Sequence, residues 1–236
     1  MIRACLPKPW RRQGCQQKPP PISPGSKGMG GLFFILLLCL LVFGCNRAHP
    51  TGVEFDEIDT SQEPLQAALP SQEPILVQWK KAELRITPMA AYKIAGLVVG
   101  TETYSYGWNA KISPVDLALA WGKLADPAFR KYVSYSVSNR WVSFKPNKGC
   151  PFDAAYVTSH GSNNHLIPST RNIWYALKTI GEKQKVVLEG FLVNISGTYE
   201  GKTVWWNSSL SRTDSGDGSC ELLYVTRVRI ENKVYE

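Results

Sequence analysis

Apolar and polar positions divide the chain into three stretches. From Leu32 to Phe43 all twelve residues are apolar. A transmembrane helix needs about 20, so the run matches instead the h-region of an export signal. Residues 46 to 76 show no periodicity and are rich in Pro, Gln, Glu, Ser and Thr, with Ser61-Gln62-Glu63-Pro64 recurring as Ser71-Gln72-Glu73-Pro74. That composition buries too little apolar surface to offset chain entropy, which predicts a flexible tether. From Val77 onward apolar residues recur at regular spacing, and 77–236 reads as one globular domain of ordinary size.

Within the domain, Ala91 to Val99 predicts a strand, followed by a Gly/Tyr-rich loop through Trp108. Ser113-Pro114 has the form of an N-cap with proline at the first helical position, and predicts a helix over Val115 to Leu124. Tyr132 to Phe144 alternates, with Val133, Tyr135 and Val137 on one side, and predicts a strand. Ser169 or Thr170 caps a second helix, Asn172 to Ile180, with Gly181 beyond its end. Lys185 to Ile195, Thr203 to Leu210 and Glu221 to Ile230 are strand-like. Turns fall at Gly197 to Gly201 and Thr213 to Ser219. The expected class is α+β: an antiparallel sheet with two helices, the last third a small OB-like, partly closed barrel.

Charge changes the picture less than the sequence pI of about 9.2 implies. Residues 1–45 hold Arg3, Lys8, Arg11, Arg12, Lys18 and Lys27 and no acid, so they supply six of the eight net positive charges. The remainder is too weakly basic for a nucleic-acid footprint, and the basic leader serves as the n-region of the signal. Val42-Phe43-Gly44-Cys45 looks like a bacterial lipobox, with a small residue before the cysteine that would be diacylated. A plain secretory peptide or a short uncleaved anchor is the alternative, and Met29 is a second candidate start. By resemblance to Gram-negative lipoproteins, Asn46 lacks the aspartate that retains them at the inner membrane. This favours the outer membrane, with the domain facing the periplasm or exterior.

Of six cysteines, Cys5, Cys15 and Cys39 lie in the leader and Cys45 is the lipid acceptor. Cys150 and Cys220 remain, an even pair in an oxidising compartment, which predicts a disulfide. Neither has a second Cys or a His at zinc spacing, so no metal is expected. No cofactor motif occurs. The polar-dense segments are Ser159 to His165 and Ser208 to Glu221. With the bridge formed, His165 would lie near Ser209 and Asp214, the components of a base-activated nucleophile, although no Gly-x-Ser-x-Gly elbow is present. Asp214 to Ser219 offers oxygen ligands without the spacing of a calcium loop. Asn164, Arg212 and Asp217 are binding candidates in the same segments, with an Arg212–Asp214 pair equally open as structure. Trp205 and Trp206 face opposite sides of any strand, so one of them is available to stack on a ligand or is covered by packing on its own side.

Ile112 to Gly122, Asn164 to Pro168 and Ser208 to Arg212 together resemble a group of bacterial envelope proteins with a lipoprotein-type signal. The resemblance covers about residues 85 to 230 and assigns no activity. The leading expectation is a non-enzymatic, lipid-anchored binding or assembly module of the envelope, with an envelope protein or a glycan as partner. Two alternatives stay open: an envelope hydrolase using His165 with Ser or Asp of the 208–221 segment, and an OB-like nucleic-acid or glycan binder.

Overall fold

The computed structural model describes residues 47–211 and 218–236. In chain order the strands begin with β1 (Gly52–Val53), β2 (Leu65–Ala68), β3 (Ile75–Trp79) and β4 (Ala82–Thr103). Helix α1 (Trp108–Ile112), β5 (Val115–Ala120), β6 (Val133–Ser138) and β7 (Trp141–Pro146) follow. The rest is α2 (Ala154–Ser159), β8 (Gly161–Pro168), α3 (Arg171–Leu177), β9 (Lys185–Tyr199), β10 (Lys202–Asn207), β11 (Glu221–Ile230) and β12 (Lys233–Tyr235). The described residues are mostly sheet with three short helices, consistent with an α+β chain. No helix among the described residues is long and apolar enough to cross a membrane.

β4 organises the fold because it serves two cores. Its register against β9 runs from Ala82–Tyr199 to Leu97–Lys185 and slips once, between Pro88 and Ala90. Pro88 has no N–H for the ladder and Met89 is the extra residue, a bulge of the usual kind. One extra residue turns a strand over. Before the bulge Ala82, Leu84 and Ile86 join Ile112, Ile167, Val193, Ile195, Leu222 and Tyr224 in one core. After it Ala90, Tyr92 and Ile94 join Leu117, Leu119, Leu166, Leu188, Leu192, Leu223 and Val225 in the other.

The second of these cores lies inside a ring of strands. β4 pairs with β5, β5 with β8, β8 with β11, β11 with β9, and β9 again with β4, making a partly closed ring. Only the β8–β11 pairing in this ring is parallel. β9 lies between β4 and β11, paired to both over 186–192, and at Gly190 a Cβ would stand 1.9 Å from the Tyr224 carbonyl oxygen. Glycine is the residue that fits such an approach. Helix α3 packs Ile173, Ala176 and Leu177 into the same core, and its N-cap Thr170 accepts from the Ile173 N–H at 3.2 Å. The ring strands span Ala82 to Ile230, so closure involves the whole domain rather than its last third.

Several expectations change. Val115–Ala120 is a strand, not a helix: all six residues are buried and hydrogen-bonded to β4 and β8 on either side. A short run buried on both faces has no period to read, and Ser113 in fact caps the end of α1. The strand foreseen over 132–144 is a two-stranded hairpin, β6–β7, turning at Asn139 and Arg140, whose φ values are 52° and 71°. Two positive φ angles are the signature of a tight hairpin turn. Helix α3 stands near its expected place, whereas α1 begins at Trp108, where the expected loop ends, over residues to which the sequence reading assigned no element.

The polar stretch 46–76 is drawn onto the domain in two places. β1 adds to β12 and β2 adds to β4. Between them, Glu54 pairs with Arg227 and Arg229, Asp56 with Arg229, and Glu57 with Lys185. Composition predicts a flexible tether here because the partners of these acids lie some 130 to 175 residues away. The expected Cys150–Cys220 disulfide is not formed. Cys150 packs beside Leu124, Val133 and Val157 under the hairpin, whereas the Cys220 sulfur accepts from Asn163 Nδ2 at 3.4 Å.

Candidate functional site

Strand register assembles a polar row on the outer face of the ring. Glu102 of β4 pairs with Asp116 of β5, Asp116 with His165 of β8, and His165 with Leu222 of β11. The β6–β7 hairpin lies across this face. It seats over two glycines: a Cβ on Gly100 would stand 2.4 Å from Val137, and one on Gly161 would stand 2.3 Å from Phe144. Arg140, at the hairpin tip, then reaches the row from above.

Asp116 is fully buried. Arg140 Nη1 donates to its Oδ1 at 2.7 Å, and Arg140 Nη2 donates to the Ser113 carbonyl at 2.8 Å. The guanidinium lies 3.8 Å over the Tyr104 ring and 5.2 Å from that of Trp206, a cation held between two aromatic faces. Burial pulls the Arg140 guanidinium below its ordinary range, with Asp116 opposing. Burial first, and then the hydrogen bond to Glu102, push the Tyr104 phenol upward. The Tyr104 hydroxyl also accepts from the Arg140 backbone N–H at 2.8 Å, so Tyr104 grips the hairpin tip twice.

His165, 3% exposed, places Nδ1 2.9 Å from Asp116 Oδ2, without the alignment of a hydrogen bond. Its ring lies 4.7 Å from that of Trp206. Asn164 is fully buried and donates to Ser162 Oγ at 2.8 Å and to the Leu117 carbonyl at 3.3 Å. The Ser209 hydroxyl donates to the Ser211 carbonyl at 3.0 Å, and its N–H to the Cys220 carbonyl. The described contacts thus join His165 to Asp116 and Trp206, not to Ser209. Cys45, Arg212, Asp214 and Asp217 lie outside the described residues. The tandem tryptophans divide as alternation requires: Trp206 packs against Trp108 and His165, while Trp205 is 71% exposed.

No family model, curated protein or solved structure matches this chain. The site therefore rests on its own geometry.

Beside the sealed row the hairpin leaves an open groove against β8, with a volume of about 250 Å³. Trp141, half exposed, stands at its lip, and Ser143, Phe144, Thr158, Ser162 and Asn163 line it. Its described lining carries no formal charge. Asn163 is clamped there, because its Nδ2 donates to the Arg140 carbonyl at 2.7 Å. Among the described residues no group of three or more His, Cys, Asp or Glu side chains is arranged to hold a metal ion.

Sequence reasoning missed Asp116, Arg140 and Trp141. Asp116 had a readable signal, a lone acid inside the apolar run Ile112 to Trp121. Arg140 and Trp141 had none beyond the turn-forming Ser138-Asn139, which the strand reading passed over.

Proposed function

We propose that this protein is a lipid-anchored, non-enzymatic binding module of the bacterial envelope, whose groove between β7 and β8 takes a neutral, polyhydroxylated ligand of the glycan class. One observation carries the reading: an open groove with a half-exposed tryptophan at its lip and hydroxyl and amide side chains along its wall. An indole face accepts the C–H side of a sugar ring, while hydroxyls and amides exchange hydrogen bonds with its edge. At about 250 Å³ the groove falls just below the roughly 300–1,000 Å³ of ligand sites, so the reading is of one ring of a longer chain lying along an open surface.

The strand order supports the same reading by analogy. A five-stranded ring with a helix between its third and fourth strands is OB-like. OB-like barrels bind oligonucleotides and oligosaccharides on the face of their second and third strands. Here those strands are β5 and β8, and the groove runs along β8. The uncharged described lining favours a glycan over a phosphate backbone. A hydrolase built on His165 would need a hydroxyl beside the imidazole, and the described neighbours are a carboxylate and an indole.

Titrating the purified lipidated protein with soluble peptidoglycan fragments and neutral oligosaccharides, followed by calorimetry, tests the site. Saturable binding that resists salt is expected, weakened about tenfold by Trp141→Ala, or roughly 1.4 kcal/mol. Equal affinity of wild type and Trp141→Ala, or no saturable glycan in the panel, would overturn the groove. Metabolic labelling with a clickable fatty acid tests the anchor separately: wild type should be marked and Cys45→Ala unmarked.

A further inference from the structure

The surroundings of Arg140 have the form of a ligand site whose occupant comes from the chain itself. Arg140 Nη1 and Nη2 donate to two separate acceptors, Asp116 Oδ1 and the Ser113 carbonyl, and the plane of the group lies over Tyr104 with Trp206 beside it. A planar fork met by two acceptors and a stacking ring selects guanidinium over ammonium. The peptide groups on either side of the side chain are read as well. The Arg140 N–H donates to the Tyr104 hydroxyl at 2.8 Å, and its carbonyl accepts from Asn163 Nδ2 at 2.7 Å. Ser113, Asp116 and Asn163 are buried, and none of these five recognising residues belongs to the hairpin.

Arg140 arrives on an arm that is separable from the site. β6 and β7 pair only with each other, and among the described residues no backbone–backbone hydrogen bond joins them to the ring. At the turn, Asn139 and Arg140 both have positive φ. Glycine is favoured at the second position of such a turn, so arginine stands there against a backbone preference that its side-chain contacts offset. The Arg140 side chain is still 14% exposed, which leaves the occupied site in touch with solvent. Replacing one guanidinium by another would also keep the buried Asp116 carboxylate compensated.

We infer that the cage of Ser113, Asp116, Tyr104, Trp206 and Asn163 is a binding site for an arginine residue of another polypeptide. Arg140 fills it in the closed molecule, and the incoming arginine takes its place as the hairpin lifts. The site is distinct from the glycan groove and does not depend on it. β7 lines that groove, however, so an arginine that enters the cage opens the groove as well.

Calorimetric titration of the full chain with N-acetylarginine methylamide tests this site. The citrulline analogue, close in size but uncharged, is the control, and free arginine, which lacks both flanking amides, is a third probe. Wild type should bind the capped arginine saturably, and should bind citrulline and free arginine about tenfold more weakly or not at all. Arg140→Gly retains a turn that glycine favours and vacates the cage, so it should bind the capped arginine about tenfold more tightly than wild type, whose own arginine competes. Absence of saturable binding to wild type would overturn the proposal. Equal affinity of wild type and folded Arg140→Gly would overturn it too, since binding would then lie elsewhere. Free arginine binding as tightly as the capped form would overturn the polypeptide as its source. The wild-type titrations need no variant, so they decide the matter even if Arg140→Gly fails to fold.

Discussion

Burying a carboxylate costs several kcal/mol unless partners replace its water, and Asp116 has Arg140 on one oxygen and His165 against the other. Arg140 comes from a hairpin tip 24 residues away, so the pair is also a tertiary fastener. Arg140→Ala should destabilise by about 3–5 kcal/mol, since it leaves a buried charge uncompensated. In thermal denaturation this is a fall in midpoint of roughly 10 °C. Asp116→Ala combined with Arg140→Ala should cost clearly less than the two singles summed. Strict additivity would mean that the two side chains do not depend on each other. Little of this pairing was legible beforehand. His165 stands out because it ends the polar-dense segment Ser159 to His165, and the partners the sequence suggests for it are Ser209 and Asp214 of the other polar segment. Its true neighbour lies 49 positions upstream, on a strand that read as a helix, and no local spacing reports a cross-strand pair.

Among the elements, the β6–β7 hairpin is the part that sequence periodicity blurred most. Both strands alternate, and the covered positions shift from odd (Val133, Tyr135, Val137) to even (Val142, Phe144, Pro146) across Asn139-Arg140, a phase change that reading them as one strand overlooks. Helix α3 and strand β11 were legible because their signals are local: a capping threonine before an apolar stripe, and ten residues of strand-forming character ending at Ile230. The hairpin has its own two-stranded sheet and is held to the ring by side chains, above all at Gly100 and Gly161. Gly161→Ala should push Phe144 off the ring at a cost of about 1–3 kcal/mol, the usual price of overpacking. Arg140 would lose its seat with it, so trypsin should cut after Arg140 faster than in the wild type. Adding Phe144→Ala should restore resistance by making room for the new methyl group. Unchanged cleavage in Gly161→Ala would show that the hairpin is not seated through this contact.

Across the whole molecule, the N-terminal residues 52–57 are bound by charge to the far end of the chain. Asp56 titrates below its ordinary 3.8, chiefly through the hydrogen bond from Arg229, and Glu57 below its ordinary 4.5 through Lys185. A carboxyl lowered by folding stabilises above its unfolded value, and that contribution is lost as pH falls through the folded one. The attachment should therefore be complete above pH 4.5 and loosen below 3.8. Hydrogen exchange, corrected for intrinsic rates, should show residues 52–57 losing protection near pH 3 while the β4–β9 ladder keeps its own. Equal protection of 52–57 at about pH 3 and pH 6 would sink this account of the attachment. Such links were not legible at the scale of composition, which counts charges and cannot match them across the chain. The ring shares this remoteness, because β11 is inserted between β8 and β9 although it follows both in the chain. A growing polypeptide therefore cannot close the ring until residues 221–230 have left the ribosome. Everything made earlier waits until then with one flank of its apolar interior open, exposed to whatever the unfinished chain meets.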